Sequence, residues 1–169
     1  MERVLIFFGT LIAGISFYLW STSQVTSSTK IQKETAAIKT LLVQYKKSIN
    51  DADTTLGSKI WAHTNEVSFI HPRGHEHGWE GVKNNVYGMF RNAFSARDLK
   101  SDNETINVYG DVAWVEFYWV FDATFAGEKP MPLQTKGRET QILKKIKNEW
   151  RIEHIHYSGL PVTEQQKGF

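Results

Sequence analysis

Cysteine is absent from all 169 residues, which removes disulfide scaffolds, thiolate zinc sites, iron–sulfur clusters, thiol nucleophiles and lipid attachment at an N-terminal cysteine. An excess of one charge is lacking too. Lys plus Arg number 20 against 18 Asp plus Glu, a formal net charge of +2, too weak a field to hold a nucleic-acid backbone. Nucleic acid is therefore not an expected partner. No glycine-rich phosphate loop, no G-x-S-x-G and no H-E-x-x-H occurs, so nucleotide, serine-hydrolase and zinc-protease chemistry have no motif to rest on. The remaining chemistry must come from His, Asp, Glu, Tyr and Arg. Aromatic residues, by contrast, are plentiful at 13%, with 6 Trp and 10 Phe, which suits an apolar cavity or a wide buried interface. With 41% hydrophobic and 22% charged residues, one folded domain is the expectation.

A single long apolar run, Val4 to Trp20, reads VLIFFGTLIAGISFYLW. At roughly 17 residues it is long for a signal-peptide core and short for a membrane span, so residues 1–23 read as a signal peptide or an N-terminal membrane anchor. Ser21-Thr22-Ser23 offers small residues for cleavage, and Lys30 and Lys33 just beyond the run leave orientation open. The expected address is exported, periplasmic or extracellular, or anchored to the inner membrane; a cytoplasmic domain is the alternative topology. Residues 24–30 read as a polar linker, 31–161 as the folded domain and 162–169 as a polar tail.

Within the domain, Ile31, Ile38, Leu41, Leu42, Tyr45 and Ile49 recur at helical spacing on a polar segment, which predicts an amphipathic helix. Turn formers fill Asn50 to Thr55, and Leu56 to His63 reads as a short helix turning Ile60 and Trp61 inward. Glu66 to His71 alternates as a strand, Pro72 to Gly78 reads as a loop, and Trp79 to Phe94 returns to helical spacing. From about Asn103 the period becomes two. Four strands are predicted, Asn103–Tyr109, Val112–Phe125, Leu133–Ile146 and Trp150–Ser158, with turns at Gly110-Asp111, Gly127-Glu128 and Lys147-Asn148. Helices followed by an antiparallel meander make an α+β domain.

Gly110-Asp111-Val112-Ala113 opening a long strand, Glu139-Thr140 in the next, and Trp150-Arg151-Ile152 leading to His154-Ile155-His156-Tyr157-Ser158-Gly159-Leu160-Pro161 carry a family resemblance. Over about Ile31 to Pro161 the chain resembles the nuclear transport factor 2-like superfamily, with its SnoaL-like cyclases and ketosteroid isomerases, and the association (hub) domain of calcium/calmodulin-dependent protein kinase. The resemblance implies a cone-shaped, cystatin-like fold in which a curved antiparallel sheet wraps N-terminal helices. It also implies that hub arginines are replaced here by Trp119, Gln141 and Tyr157, so the anion-binding character of that pocket is expected to be lost. Those three positions would lie on the concave face, where alternation adds Val115, Phe117, Phe121, Glu139 and Ile155; Trp61 is a further expected lining residue. The resulting cavity suits a small apolar or aromatic molecule.

Proton-transfer chemistry needs a carboxylate at such a wall and a group that donates to a developing oxyanion. Glu139 or His71 is the candidate base, Tyr157 and Gln141 the orienting groups, and no cofactor is expected. Burial would raise the Glu139 pKa, whereas pairing with Arg138 or Arg151 would make the carboxylate structural. His71, His75 and His77 draw notice as metal ligands, but Pro72, Gly74 and Gly78 exclude a helix that would align them, and no metal site is expected. His154 and His156 read as sharing the convex face with Trp150, Ile152 and Ser158, beside Trp114, Glu116, Tyr118 and Val120. A large aromatic face of that kind predicts a homodimer or higher homo-oligomer, with Trp114, Tyr118, His154 and His156 at its interface, unless a strand bulge reverses the assignment. Two functions follow: a ligand-binding domain with isomerase- or dehydratase-type proton transfer, or a non-catalytic oligomerisation module with an incidental pocket.

Overall fold

The computed structural model describes residues 28–160; the apolar run, the polar residues after it up to 27 and the tail from 161 lie outside them. Two compact units divide the chain, 1–36 and 37–169. Residues 28–36 of the first are helical, and the remaining description concerns the second unit. Among the described residues no helix is long and apolar enough to cross a membrane.

Helix α1 covers residues 28–50. Its stripe Ile38, Leu41, Leu42, Tyr45 and Ile49 is buried, as the three-and-four spacing requires. The chain turns at Ala52, which adopts φ 49°, and Asp53 then caps α2 (Thr54–Ile60), accepting from the Thr55 and Leu56 amides at 2.8 and 3.0 Å. Gly57 lets α2 pack close: a Cβ there would stand 2.9 Å from both the Trp79 and Tyr87 rings.

Strands β1 (Ser68–His71) and β2 (Gly74–His77) form a hairpin closed by Pro72-Arg73. The segment expected as a loop is thus half strand. β2 is an edge strand with little buried apolar surface, so it carries no alternation for a sequence pattern to reveal. Helix α3 (Gly78–Gly81), a π-helical stretch (Val82–Tyr87) and α4 (Gly88–Ala93) follow. The wider turn buries Val82, Val86 and Tyr87 together. Tyr87 ties three elements, its hydroxyl lying 2.8 Å from Ser48 Oγ and accepting from Trp61 Nε1 at 3.3 Å.

Strands β3 (Phe94–Tyr109), β4 (Val112–Phe125), β5 (Pro132–Ile146) and β6 (Glu149–Gly159) complete the chain. β3 begins at Phe94, where the sequence reading still had helix: the buried Phe94 continues the apolar spacing while its backbone has turned extended. Arg97 fastens that change of direction, donating to the carbonyls of Asn50, Phe90 and Phe94. The sheet is open and curved, six strands in the order β2-β1-β6-β5-β4-β3, with β3 to β6 an antiparallel meander and β1 parallel to β6. This is an α+β architecture with helices ahead of the meander. The β5–β6 turn uses Lys147 and Asn148, both at positive φ (51° and 66°), as a tight hairpin turn matched to sheet twist demands.

On β4 the alternation is strict. Ala113, Val115, Phe117, Trp119, Phe121 and Ala123 are buried, while Trp114, Glu116 and Tyr118 face outward. β6 departs from it. Ile142 pairs with His154 but Leu143 pairs with Ile152, leaving Glu153 as a bulge. Trp150 and Ile152 are therefore buried on the inner side while His154 and His156 face out, which corrects the single face assigned to all four.

Candidate functional site

A cavity of about 770 Å³ opens between the inner face of the sheet and the helices. Tyr45 and Ile49 of α1, Phe69 of β1, Met89 and Phe90 of α4, Phe94 and Leu99 of β3, Trp119 and Phe121 of β4, Leu133 and Glu139 of β5 and Tyr157 of β6 line it. The volume suits a drug-sized molecule, and the wall is mostly aromatic and aliphatic with few polar groups.

Glu139 is the buried acid in that wall. It is 5% exposed and shares a row with Phe117 of β4 and Tyr157 of β6. Gln141, completely buried two residues on, donates through Nε2 to Glu139 Oε1 at 2.7 Å. The Tyr45 hydroxyl reaches the same carboxyl across from α1. Burial pushes the Glu139 carboxyl up to about 7, against the hydrogen bonds from Gln141 and Tyr45, which favour the charged form. The acid does not ion-pair with Arg138 or Arg151: Arg151 bonds Glu149, and Arg138 alternates to the opposite face. Tyr45 is itself raised well above the usual tyrosine range by burial and then by Glu139. The Tyr157 hydroxyl is raised by burial and by Glu139, with Arg73 pulling it back down. Near neutrality the carboxyl is thus the group here that exchanges its proton, while the two phenols hold theirs.

Of the residues expected on the concave face, Trp119, Phe121 and Tyr157 line the cavity with Glu139, the Trp119 and Tyr157 rings edge-to-face at 5.7 Å and 83°. Trp61, Val115, Phe117, Gln141 and Ile155 do not line it. They are buried in the core around it, where Trp61 serves Tyr87 and Gln141 serves Glu139. His71 also stays off the wall. Its ring stacks on Tyr157 at 6.2 Å and 14°, and Nε2 lies 3.4 Å from Glu76 Oε1, so it backs the tyrosine instead of facing the cavity. Tyr45 is the residue the sequence reading left in the core stripe; a tyrosine among aliphatics at helical spacing is the one signal that a hydroxyl needs a partner there.

On the outer face, His75 and His77 stand 4.0 Å apart in β2, opposite Ile70 and Ser68, which in turn pair with His156 and His154. Ser68 Oγ lies 2.6 Å from His154 Nδ1. Burial, then His156 and His75, holds His154 below the ordinary histidine range. Among the described residues no group of three or more His, Cys, Asp or Glu is placed to hold a metal ion. Trp114, Tyr118 and Ile142 are 37%, 47% and 40% exposed on the same face, and Tyr109 stacks on Trp114 at 4.8 Å.

Comparison with known proteins bears on this arrangement. Residues 38–163 match the SnoaL-like domain. No curated protein matches. A nuclear transport factor 2-like superfamily protein from Salmonella enterica serovar Typhimurium is 42% identical, covers 85% of this chain and 99% of its own, and superposes with a TM-score of 0.73. Two more distant structures share the fold. A candidate scytalone dehydratase from Novosphingobium aromaticivorans is 14% identical over 77% of this chain and 86% of its own, TM-score 0.68. A candidate ketosteroid isomerase from Shewanella frigidimarina is 16% identical over 72% and 94%, TM-score 0.61.

Proposed function

We propose that this chain, which belongs to the SnoaL-like domain family of the nuclear transport factor 2-like superfamily, binds a small, largely apolar or aromatic molecule in its cavity and moves a proton on it. The reaction type is isomerisation or dehydration, and Glu139 is the proton-transferring group. One observation carries this reading: a carboxyl buried in the wall of a largely apolar cavity is held there by Tyr45 and Gln141, and its burial pushes it up to about 7. A base or acid is most effective when its pKa lies near the working pH. Gln141 and Tyr45 orient the carboxyl, and Tyr157 places a phenol beside it that can donate to an oxyanion on the bound molecule. The dehydratase and isomerase names of distant structures agree with this class but speak for those proteins.

The test takes protein purified directly from cells and records native mass spectra under gentle and then denaturing settings. A retained small molecule is expected. Incubated with it in deuterium oxide, the wild type should exchange a carbon-bound proton, and Glu139→Gln should bind it without exchange. A molecule retained but never exchanged by the wild type would reduce the function to binding; an empty protein that captures nothing would remove the ligand-binding reading as well.

A second reading has its own support. Trp114, Tyr109, Tyr118 and Ile142 leave an apolar strip on the outer face, which fits a homodimer. In that reading the pocket is incidental. We further propose that residues 1–23, outside the described residues, export the domain or anchor it to the inner membrane.

A further inference from the structure

The cavity has a cationic mouth. Arg73 sits in the two-residue turn between β1 and β2, lines the opening with Pro72 and Leu160, and is exposed. Its charge is felt inside, since it lowers the Tyr157 hydroxyl against the effect of burial. Among the described residues no carboxylate forms an ion pair with it. The acid on the same hairpin, Glu76, is taken by Asn85 and faces His71. Two other arginines near the cavity are engaged by backbone carbonyls. Arg91 donates to the Ala52 carbonyl and Arg97 to three more, while Lys136 also lines the cavity, its side chain alternating outward on β5 between Thr135 and Gly137. From this exposed guanidinium the cavity runs past apolar rings to the buried Glu139.

Resting on the cavity reading above, we propose that the ligand is a monoanion: an apolar or aromatic skeleton bearing one carboxylate or sulfonate, which Arg73 holds at the mouth while the skeleton lies against Phe69, Phe90 and Phe94. A planar guanidinium matches such an oxyanion with two parallel hydrogen bonds, and the apolar rings deeper in the cavity, Phe69, Phe90 and Phe94, offer a second charge nothing. The polarity of the cavity also fixes orientation, with the anionic end outward and the uncharged end toward Glu139.

Two dyes that share a phenylnaphthylamine skeleton test this: 1-anilinonaphthalene-8-sulfonate, an anion, and N-phenyl-1-naphthylamine, which is neutral. Fluorescence titrations of the whole chain should show the anion binding more tightly. Arg73→Gln should weaken the sulfonate about tenfold and leave the neutral dye unchanged, Arg73→Lys should fall between, and Thr135→Trp, on the inner row with Phe121, should weaken both. If Arg73→Gln leaves the ratio of the two affinities as in the wild type while Thr135→Trp still weakens both, the anion assignment is wrong and the cavity reading stands. If neither dye binds, or Thr135→Trp affects neither, the cavity reading fails and this inference falls with it.

Discussion

Trp119 occupies the space a side chain on Gly137 would need. The two residues face each other across β4 and β5, and a Cβ on Gly137 would stand 2.3 Å from Cζ2 of the indole and 2.0 Å from the backbone oxygen of Ser158. The missing side chain lets the indole lie against the neighbouring strand, where it forms cavity wall and meets Tyr157 edge-on.

Gly137→Ala should accordingly be costly. The Ser158 oxygen belongs to the backbone and cannot swing aside, so the sheet must shift locally; overpacking of this kind destabilises by about 1–3 kcal/mol, sometimes more. Urea unfolding should show a loss at or above the upper end of that range. A loss under about 0.5 kcal/mol, the scale of surface changes, would mean the indole does not sit there.

Glu139 makes stability depend on pH in a specific direction. Its folded pKa, about 7, lies above its ordinary 4.5, so the folded state holds the proton more tightly than the unfolded chain. That contribution is fully present below pH 4.5 and is lost as pH rises through 7. The displacement corresponds to on the order of 3 kcal/mol. Glu139→Gln has no such titration, and its stability relative to wild type should climb by about that amount between pH 4.5 and 8. Parallel curves for the two proteins would show that the carboxyl is not buried as described.

Tyr45→Phe keeps the ring in the core and removes a hydroxyl that favours the charged carboxyl. The Glu139 pKa should rise, and the fall of stability with pH should move to higher pH in urea titrations from pH 5 to 9. A move to lower pH would mean that the hydroxyl serves the neutral acid.

The meander was legible because three signals coincide along it: period-two burial on β4, turn pairs at Gly110-Asp111 and Lys147-Asn148, and aromatic inner positions. The features that escaped sequence reasoning are tertiary. His75, Glu76 and His77 have no apolar alternation, because an edge strand buries little on either face, so the hairpin read as loop. Phe94 satisfies helical spacing and strand burial equally. The Glu153 bulge has no local marker; its Oε1 accepts from Thr64, 89 residues away in sequence. Tyr45 shows the limit most clearly for the site, since the stripe explains its ring but its hydroxyl bonds a residue on β5.

Trp114→Asp separates the two readings of function. Were the outer strip of Trp114, Tyr118 and Ile142 the contact of a homodimer, a charge at its centre would convert the dimer to monomer in sedimentation equilibrium, with the far-UV spectrum and dye binding in the cavity retained. A mass unchanged from wild type would place any dimer contact elsewhere.

The central claim is that one carboxyl in the cavity wall exchanges its proton near neutral pH. The direct measurement is the ¹³C chemical shift of the Glu139 side-chain carboxyl followed from pH 4 to 9, assigned by its loss in Glu139→Gln. A midpoint near 7 is the predicted result. A midpoint near 4.5 would contradict the account, because a carboxylate ionised like any solvated one has neither the burial nor the proton that the proposed chemistry requires.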